Sequence, residues 1–376
     1  MMDVLPPAGE PISIRSGFGI SANPFDLPYD SVHFYGSGTA ALAAAMRAAI
    51  SLAEQPSPEI IIPAYGCPSL ISAARYAPVC PVLVDLHPET PWLDIREVES
   101  HVTDNTVAIL AINLFGIPER LEALRGLARK HHLFLIEDGA QSFFHDLADG
   151  PRSDFLVLSF GRGKPVSLLG GGSVLARTKL LADYLPAPDS TASPSRFRIA
   201  AIAYNLLRNP HLYWIPKRLP GLSLGETSYS PLRSLTAMDA ARIRALTANI
   251  AAARCRTNDS ILRMHHAIAP FHANAVVLDL LAFCCEQPFP RLSRYPLLLP
   301  DRNRRDTLLK RLDAAGLGAT AMYQTPLPEI PGIDLGVQSF PAAGDFADRL
   351  ITLPIHSGVT DRHISAIVSI LGDFNN

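Results

Sequence analysis

Lys164 sits in Ser159-Phe160-Gly161-Arg162-Gly163-Lys164-Pro165, a loop-like stretch between two short apolar runs, with Gly170-Gly171-Gly172 close behind it. No carboxylate neighbours it in the chain to neutralise its charge. A lysine so placed is either a phosphate clamp or a nucleophilic amine. A clamp of the Gly-x-x-x-x-Gly-Lys-Ser/Thr kind needs a glycine where Leu158 stands and a hydroxyl where Pro165 stands, so the amine remains. An amine in a glycine-lined pocket suits a Schiff base with an aldehyde cofactor. A lone lysine is otherwise a solvated surface group, and its companions decide the matter.

Two further constellations supply those companions. In Ile136-Glu137-Asp138-Gly139-Ala140-Gln141 an acid ends a buried strand, which is costly unless it meets a cation or several donors. Asp138 could be only a helix cap. The functional reading has it face a protonated ring nitrogen, with Gln141 touching a ring substituent. A carboxylate on a pyridinium is how a protein makes pyridoxal phosphate an electron sink. The other constellation is Gly36-Ser37-Gly38-Thr39-Ala40-Ala41-Leu42, a turn into a helix whose free N–H groups attract phosphate. It also fits a dinucleotide fingerprint loosely, but the acid that should hold a ribose is replaced by Ile62-Pro63-Ala64. Ser159, five residues before Lys164, would reach the same phosphate.

The elements that must position these groups alternate along the first half of the chain. Strands are expected at 31–35, 59–62, 79–85, 106–114, 132–136, 155–160 and 173–176, and helices at 39–53, 68–76, 94–101 and 119–130. Short apolar runs separated by helices argue for a mainly parallel sheet covered on both faces, and ligands gather at the carboxyl ends of such strands. Gly36, Asp138 and Lys164 all fall just past an expected strand end. Residues 186–195 read as a loop. Residues 196–225 mix Tyr204, His211, Tyr213 and Trp214 with prolines and basic residues, as a crossover or subunit contact would, or a lid or surface contact for an apolar substrate, or a membrane-surface contact. One long helix is expected over 236–266. A strand at 295–299 and helices at 301–315 and 360–371 form a smaller α+β unit.

At 376 residues the chain is long enough for two domains. Its net charge of -2, with no polybasic block, argues against nucleic acid as the main partner. The first residues lack the pattern of a signal or transit peptide, and the longest apolar run, 275–285, is too short for a membrane span. Five irregularly spaced cysteines read as buried thiols in a reducing compartment, and no Cys/His spacing suits zinc. The expected setting is cytoplasmic.

Taken in order, Gly-Thr-Ala-Ala-Leu at 38–42, Glu-Asp-x-Ala-Gln at 137–141 and Ser-Phe-x-x-x-Lys at 159–164 with its following glycines resemble the DegT/StrS family. Its members are fold-type-I pyridoxal-phosphate enzymes, best known as nucleotide-sugar aminotransferases. The likeness covers about 30–180 and resumes at 294–327 and at Leu353-Pro354-Ile355-His356. The resemblance implies an α/β fold in which a large domain carries a mainly parallel seven-stranded sheet between helices. That domain would span 31–240, with a crossover at 186–230, after an arm at 1–30 and before a smaller α+β domain at 241–376. It implies that Lys164 bears the Schiff base and Asp138 meets the pyridine nitrogen. Gln141 would contact the ring-hydroxyl side, and Gly38, Thr39 and Ser159 would hold the phosphate. Cys67 stands where the family often stacks an aromatic ring. Asn113 replaces a usual histidine, and the asparagine that reaches a neighbouring subunit's phosphate is not recognisable near 225–228. An amino acid donor (glutamate), a keto-sugar acceptor and a homodimer follow from the same likeness. Rival readings are a different pyridoxal-phosphate reaction, such as elimination or decarboxylation, and a non-catalytic ligand-binding relative, against which the presence of Lys164 speaks.

Overall fold

A computed structural model describes residues 4–15, 23–143, 153–191, 196–218 and 227–374. Its elements run β1 (Ser31–Tyr35), α1 (Gly38–Ala53), β2 (Glu59–Pro63), α2 (Ser69–Tyr76), β3 (Cys80–Val84), α3 (Ile95–Ser100), β4 (Thr106–Ile112), α4 (Leu121–Lys130), β5 (Phe134–Asp138), β6 (Phe155–Ser159) and β7 (Gly172–Ala176). There follow α5 (Lys179–Ala182), α6 (Phe197–Leu207), α7 (Trp214–Arg218), α8 (Ala240–Arg254), α9 (Asp259–Ala273), β8 (Leu278–Asp279), α10 (Leu280–Cys284), β9 (Tyr295–Leu298), α11 (Arg302–Ala314), α12 (Pro341–Arg349), β10 (Leu350–Leu353) and α13 (Asp361–Gly372).

The first seven strands form one sheet in the order β1-β7-β6-β5-β4-β2-β3. The pairs β3/β2, β2/β4, β4/β5 and β5/β6 are parallel, whereas β7 runs antiparallel to both of its neighbours. The expected mainly parallel seven-stranded sheet is therefore present. Every residue of β4 is buried, which explains its unbroken apolar sequence and lack of alternation. One face is covered by the alanine-rich α1 together with α2, and the other by α3 and α4 through Leu121, Leu124, Leu127 and Val98. Small side chains let α1 lie close to β6 and β7, and that closeness brings its first turn to the ends of those strands. A separate cluster packs α6, α8 and the arm residues Ile12 and Phe25 against Leu156, Leu158 and Leu175 of β6 and β7. Beyond it, β10, β9 and β8 make a three-stranded antiparallel sheet.

Two expectations are corrected. The long helix over 236–266 is two helices. Asp239 caps α8 with its carboxylate on the N–H groups of Ala241 and Arg242, and α9 starts only at Asp259. The chain leaves helical geometry over 255–258, where Thr257 donates to the Asp259 side chain and Asn258 bonds the Phe289 carbonyl instead of continuing the ladder. The cysteines are not buried: Cys80 at the head of β3 and Cys255 at the α8–α9 break are exposed, the other three are half-buried, and all five are free thiols. The aromatic, proline-rich segment carries two helices, α6 and α7, in its described part.

Candidate active site

Three loops converge at the carboxyl ends of β5 and β6. The first is the turn from β1 into α1. Ser37 caps the helix, its hydroxyl accepting from Ala40 N (3.1 Å) and its carbonyl from Ala41 N (3.0 Å). Thr39 is left with an N–H and a hydroxyl that have no partner among the described residues. A phosphate at this helix start would meet those free donors. Gly38 has to be glycine for reasons of space. A Cβ there would lie 2.6 Å from both Cβ and Oγ of Ser159, and a Cβ on Gly172 would lie 2.7 Å from the Gly38 backbone. Alanine is normally the better helix former, by about 1 kcal/mol. Here Gly38→Ala is expected to lower stability by about 1–3 kcal/mol through overpacking, read as a lower melting temperature, and to weaken phosphate binding in the same cradle.

The second loop follows β5. Asp138 ends that strand. Its Oδ1 accepts from Ala140 N at 2.9 Å, and its other oxygen has no partner among the described residues. Burial pushes its carboxyl above the ordinary carboxylate range, and the positive charge of Lys164 and the Ala140 N–H pull it back only in part. The site thus holds an acid that lacks a full cation partner. Gln141 is buried, and its carbonyl oxygen accepts from Phe115 N (3.1 Å), which leaves the amide NH2 to donate. Beneath them Asn113 donates to Glu137 (2.8 Å) and accepts from Glu119 N (2.9 Å), while its backbone N–H meets the Asp138 carbonyl (3.1 Å). Ser153 adds a second bond to Glu137 (3.2 Å) and meets the Tyr29 hydroxyl (2.9 Å). Asn113 therefore braces the strand ends that carry Asp138.

The third loop joins β6 to β7 and carries Lys164. Its neck is closed by Phe160, whose carbonyl accepts from both Leu168 N (2.8 Å) and Gly170 N (3.1 Å) and whose N–H reaches the Gly171 carbonyl (2.9 Å). Lys164 is half-buried and makes no ion pair with a described carboxylate.

All three loops line one cavity of about 230 Å³, whose walls include Gly38, Thr39, Cys67, Asp138, Gln141, Ser159 and Lys164. Every residue the sequence assigned to catalysis or to the cofactor, Gly38, Thr39, Cys67, Asp138, Gln141, Ser159 and Lys164, is thus brought to one place. Free helix-start donors, an acid lacking a full cation partner and an amine without a counter-ion fit a group with a phosphate at one end, a basic ring nitrogen at another and an aldehyde between. Pyridoxal phosphate has that constitution. Tyr65 takes no part. Its ring is wholly buried, edge-on to Tyr323 and Phe346, and its hydroxyl donates to the Met322 carbonyl.

Lys164 also lines a second cavity, of about 390 Å³, between its own loop, the arm, the α8–α9 break and the loops around β9 and β10. Arg256 and Arg291 face this space, each bonded to a backbone carbonyl, Pro165 O (2.9 Å) and Ala253 O (3.0 Å) respectively, with no described carboxylate in ion-pair range. The carboxylates there are engaged elsewhere: Glu10 accepts from the Ser357 N–H (3.0 Å) and hydroxyl (2.6 Å), and Asp259 from Thr257 (2.7 Å). His356 is neutral in this setting, donating from Nε2 to Pro6 O (2.9 Å) and accepting the Gly358 N–H at Nδ1 (3.1 Å); burial holds its pKa down. Sequence reasoning missed Arg256, Glu10 and Tyr323. The helix-breaking run Thr257-Asn258-Asp259 was a signal for the first. Nothing local marks Tyr323, which lies close to Cys67 and edge-on to Tyr65 across the fold.

The sequence profile of the DegT/DnrJ/EryC1/StrS aminotransferase family matches residues 32–201 and 286–372. The chain is 27% identical to the dTDP-3-amino-3,4,6-trideoxy-alpha-D-glucose transaminase of Streptomyces venezuelae, over 85% of this chain and 76% of that protein. It is 25% identical to a UDP-N-acetyl-3-dehydro-alpha-D-glucosamine 3-aminotransferase of Acidithiobacillus ferrooxidans, over 89% and 82%. Among solved structures, the PLP form of the putative sugar aminotransferase Spr1654 from Streptococcus pneumoniae superposes with a TM-score of 0.69 at 18% identity, covering 96% of this chain and 93% of that one.

Proposed function

Because the chain belongs to the DegT/DnrJ/EryC1/StrS aminotransferase family, we propose that it is a pyridoxal-phosphate-dependent aminotransferase that moves an amino group from an amino acid, L-glutamate, to the keto group of a nucleotide-activated deoxysugar. The observation that carries this reading is the meeting of Lys164 and Asp138 on one cavity whose third wall is a phosphate-competent helix start. When bound, the cofactor supplies an electron sink for the charge left on a substrate carbon, and it ferries the amino group between the two substrates.

The rest falls to the chain. Lys164 anchors the aldehyde through Nζ. Its Nζ, when free and neutral, would take the proton from the donor's α-carbon and hand it on. Asp138 faces the ring nitrogen and keeps a proton there. Gly38, Thr39 and Ser159 would hold the phosphate, Gln141 would donate its amide to the ring-hydroxyl side, and Cys67 would border the ring. Arg256 and Arg291 supply positive charge for the anionic part of a substrate beside Lys164. By family likeness the enzyme works as a homodimer in the cytoplasm, with an arm (1–30), a large unit (31–240) and a smaller one (241–376). Among the described residues no helix is long and apolar enough to cross a membrane.

The test is an absorbance spectrum of the protein loaded with pyridoxal phosphate. A near-visible imine band that fades when glutamate is added, with 2-oxoglutarate accumulating beyond one equivalent only when a keto acceptor is supplied, is the expected result. A band indifferent to glutamate removes the donor half of the reading. Turnover without an acceptor would mean elimination or decarboxylation instead.

A further inference from the structure

The outer face of α6 is unlike the rest of the surface. Ile199 is 74% exposed, Ile202 55% and Leu206 60%, and Ala203 lies open between them. Residues at i, i+3, i+4 and i+7 share one side of a helix, so these four make a continuous apolar stripe. Exposed Arg196 extends that stripe by one more turn, with exposed Arg198 at its flank. The opposite face explains nothing about this one, because it is already used: Phe197 and Ala201 are buried against α8, and Asn205 exchanges two hydrogen bonds of 2.8 Å with the arm backbone at Ile12.

The charge pattern around α6 is as unusual as its hydrophobicity. Between Asp189 and Glu226 the chain has no acidic residue and five basic ones, Arg196, Arg198, Arg208, Lys217 and Arg218, whereas the whole protein carries -2. Arg196 and Arg198 stand at the N-terminal end of the helix, where the macrodipole disfavours cations, so they do not serve the helix itself. The match to the family profile also ends at residue 201, within α6.

We propose that the exposed face of α6 docks this enzyme on an anionic lipid bilayer, with Ile199, Ile202 and Leu206 entering the headgroup–acyl boundary and Arg196 and Arg198 meeting the lipid phosphates. A second copy of the chain fits the face less well. A twofold contact would set the basic end of the stripe against basic neighbours. An 11-residue helix is also only about 16 Å long, and one such stripe falls well short of the roughly 800 Å² per partner of a stable dimer. An apolar stripe bordered by cations and lacking acids is what an interfacial helix presents.

The experiment is flotation of the cofactor-loaded enzyme with vesicles of phosphatidylcholine alone and of equimolar phosphatidylcholine and phosphatidylglycerol. Binding to the second and not the first, weakened by added salt, is expected. The triple change Ile199→Ser, Ile202→Ser and Leu206→Ser should reduce the bound fraction by about tenfold or more, and the reversal Arg196→Glu with Arg198→Glu should also weaken it. Both variants change exposed positions and should keep the wild-type melting temperature and glutamate-dependent spectrum, so a failure of docking is separable from a failure of the aminotransferase reading. Equal binding to both vesicle types, no binding to either, or undiminished binding by the triple variant overturns the proposal. So does a triple variant that turns a dimer into monomers in gel filtration, which would make the stripe a subunit contact.

Discussion

Lys164→Ala should yield a folded protein whose amino transfer falls by about 10⁴-fold or more, since proton transfer by a positioned side chain alone contributes about 10²–10⁴-fold and the covalent anchor is lost as well. The side chain is half-buried and unpaired with any described carboxylate, so stability should change by no more than about 0.5 kcal/mol. Three readouts separate a chemical role from a structural one. Borohydride reduction should fix pyridoxal phosphate to the wild-type chain and leave the variant's mass unchanged. The imine band should be missing. A small primary amine added to the buffer should restore part of the rate, because it can carry the proton that Nζ no longer carries. Full activity in the alanine variant would end the mechanism.

Asp138→Asn should move stability and activity in opposite directions. The carboxyl of Asp138 is held above its ordinary value by burial, so between the unfolded and folded pKa values the native protein binds more protons than the unfolded chain. Stability contributed by this group is therefore present at acid pH and is lost as pH rises through that window. At neutral pH the cofactor-free wild type carries the cost of burying an incompletely paired acid. Asparagine removes that cost while its side-chain oxygen still accepts from Ala140 N. The cofactor-free variant should then melt higher than the wild type at neutral pH, with the gap closing toward pH 4. Activity should fall by about 10- to 100-fold or more, the worth of one charge-assisted hydrogen bond. Added pyridoxal phosphate should raise the melting temperature of the wild type more than that of the variant. A cofactor-free variant less stable than wild type at neutral pH would show that Asp138 is adequately paired without a ligand.

Much of the site was readable because each piece is local. Ser37 caps its own helix, Asp138 ends its own strand, and Lys164 sits in the turn between two strands that pair with each other, so the rule that ligands gather at strand ends was enough to bring them together. The strands were legible for the same reason: β4 and its neighbours are buried on both faces and written as apolar runs. What stayed hidden depends on contacts far apart in sequence. The approach of Tyr323 to Cys67 and the second cavity are assembled by chain segments hundreds of residues apart, with Glu10 facing Ser357. The misread helix over 236–266 failed differently. Most of its residues favour helix, and the break at 255–258 is set by side-chain bonds to Phe289 and within the helix-breaking Thr257-Asn258-Asp259 run that compete with the backbone ladder. Asn113 looked like a substrate-side departure from the family pattern, yet its polar atoms are engaged within the protein.

The closed neck of the β6–β7 loop divides labour within the machine. Phe160 closes the base of the loop through three backbone bonds to Leu168, Gly170 and Gly171, and Gly161 to Pro165 lie beyond that closure, with the Pro165 carbonyl held by Arg256. In the proposed reaction the amine would change partners on a loop whose base is closed independently of β5, the strand that bears the acid. Asp138, at the end of a sheet strand, would then keep the cargo seated while its covalent grip changes hands.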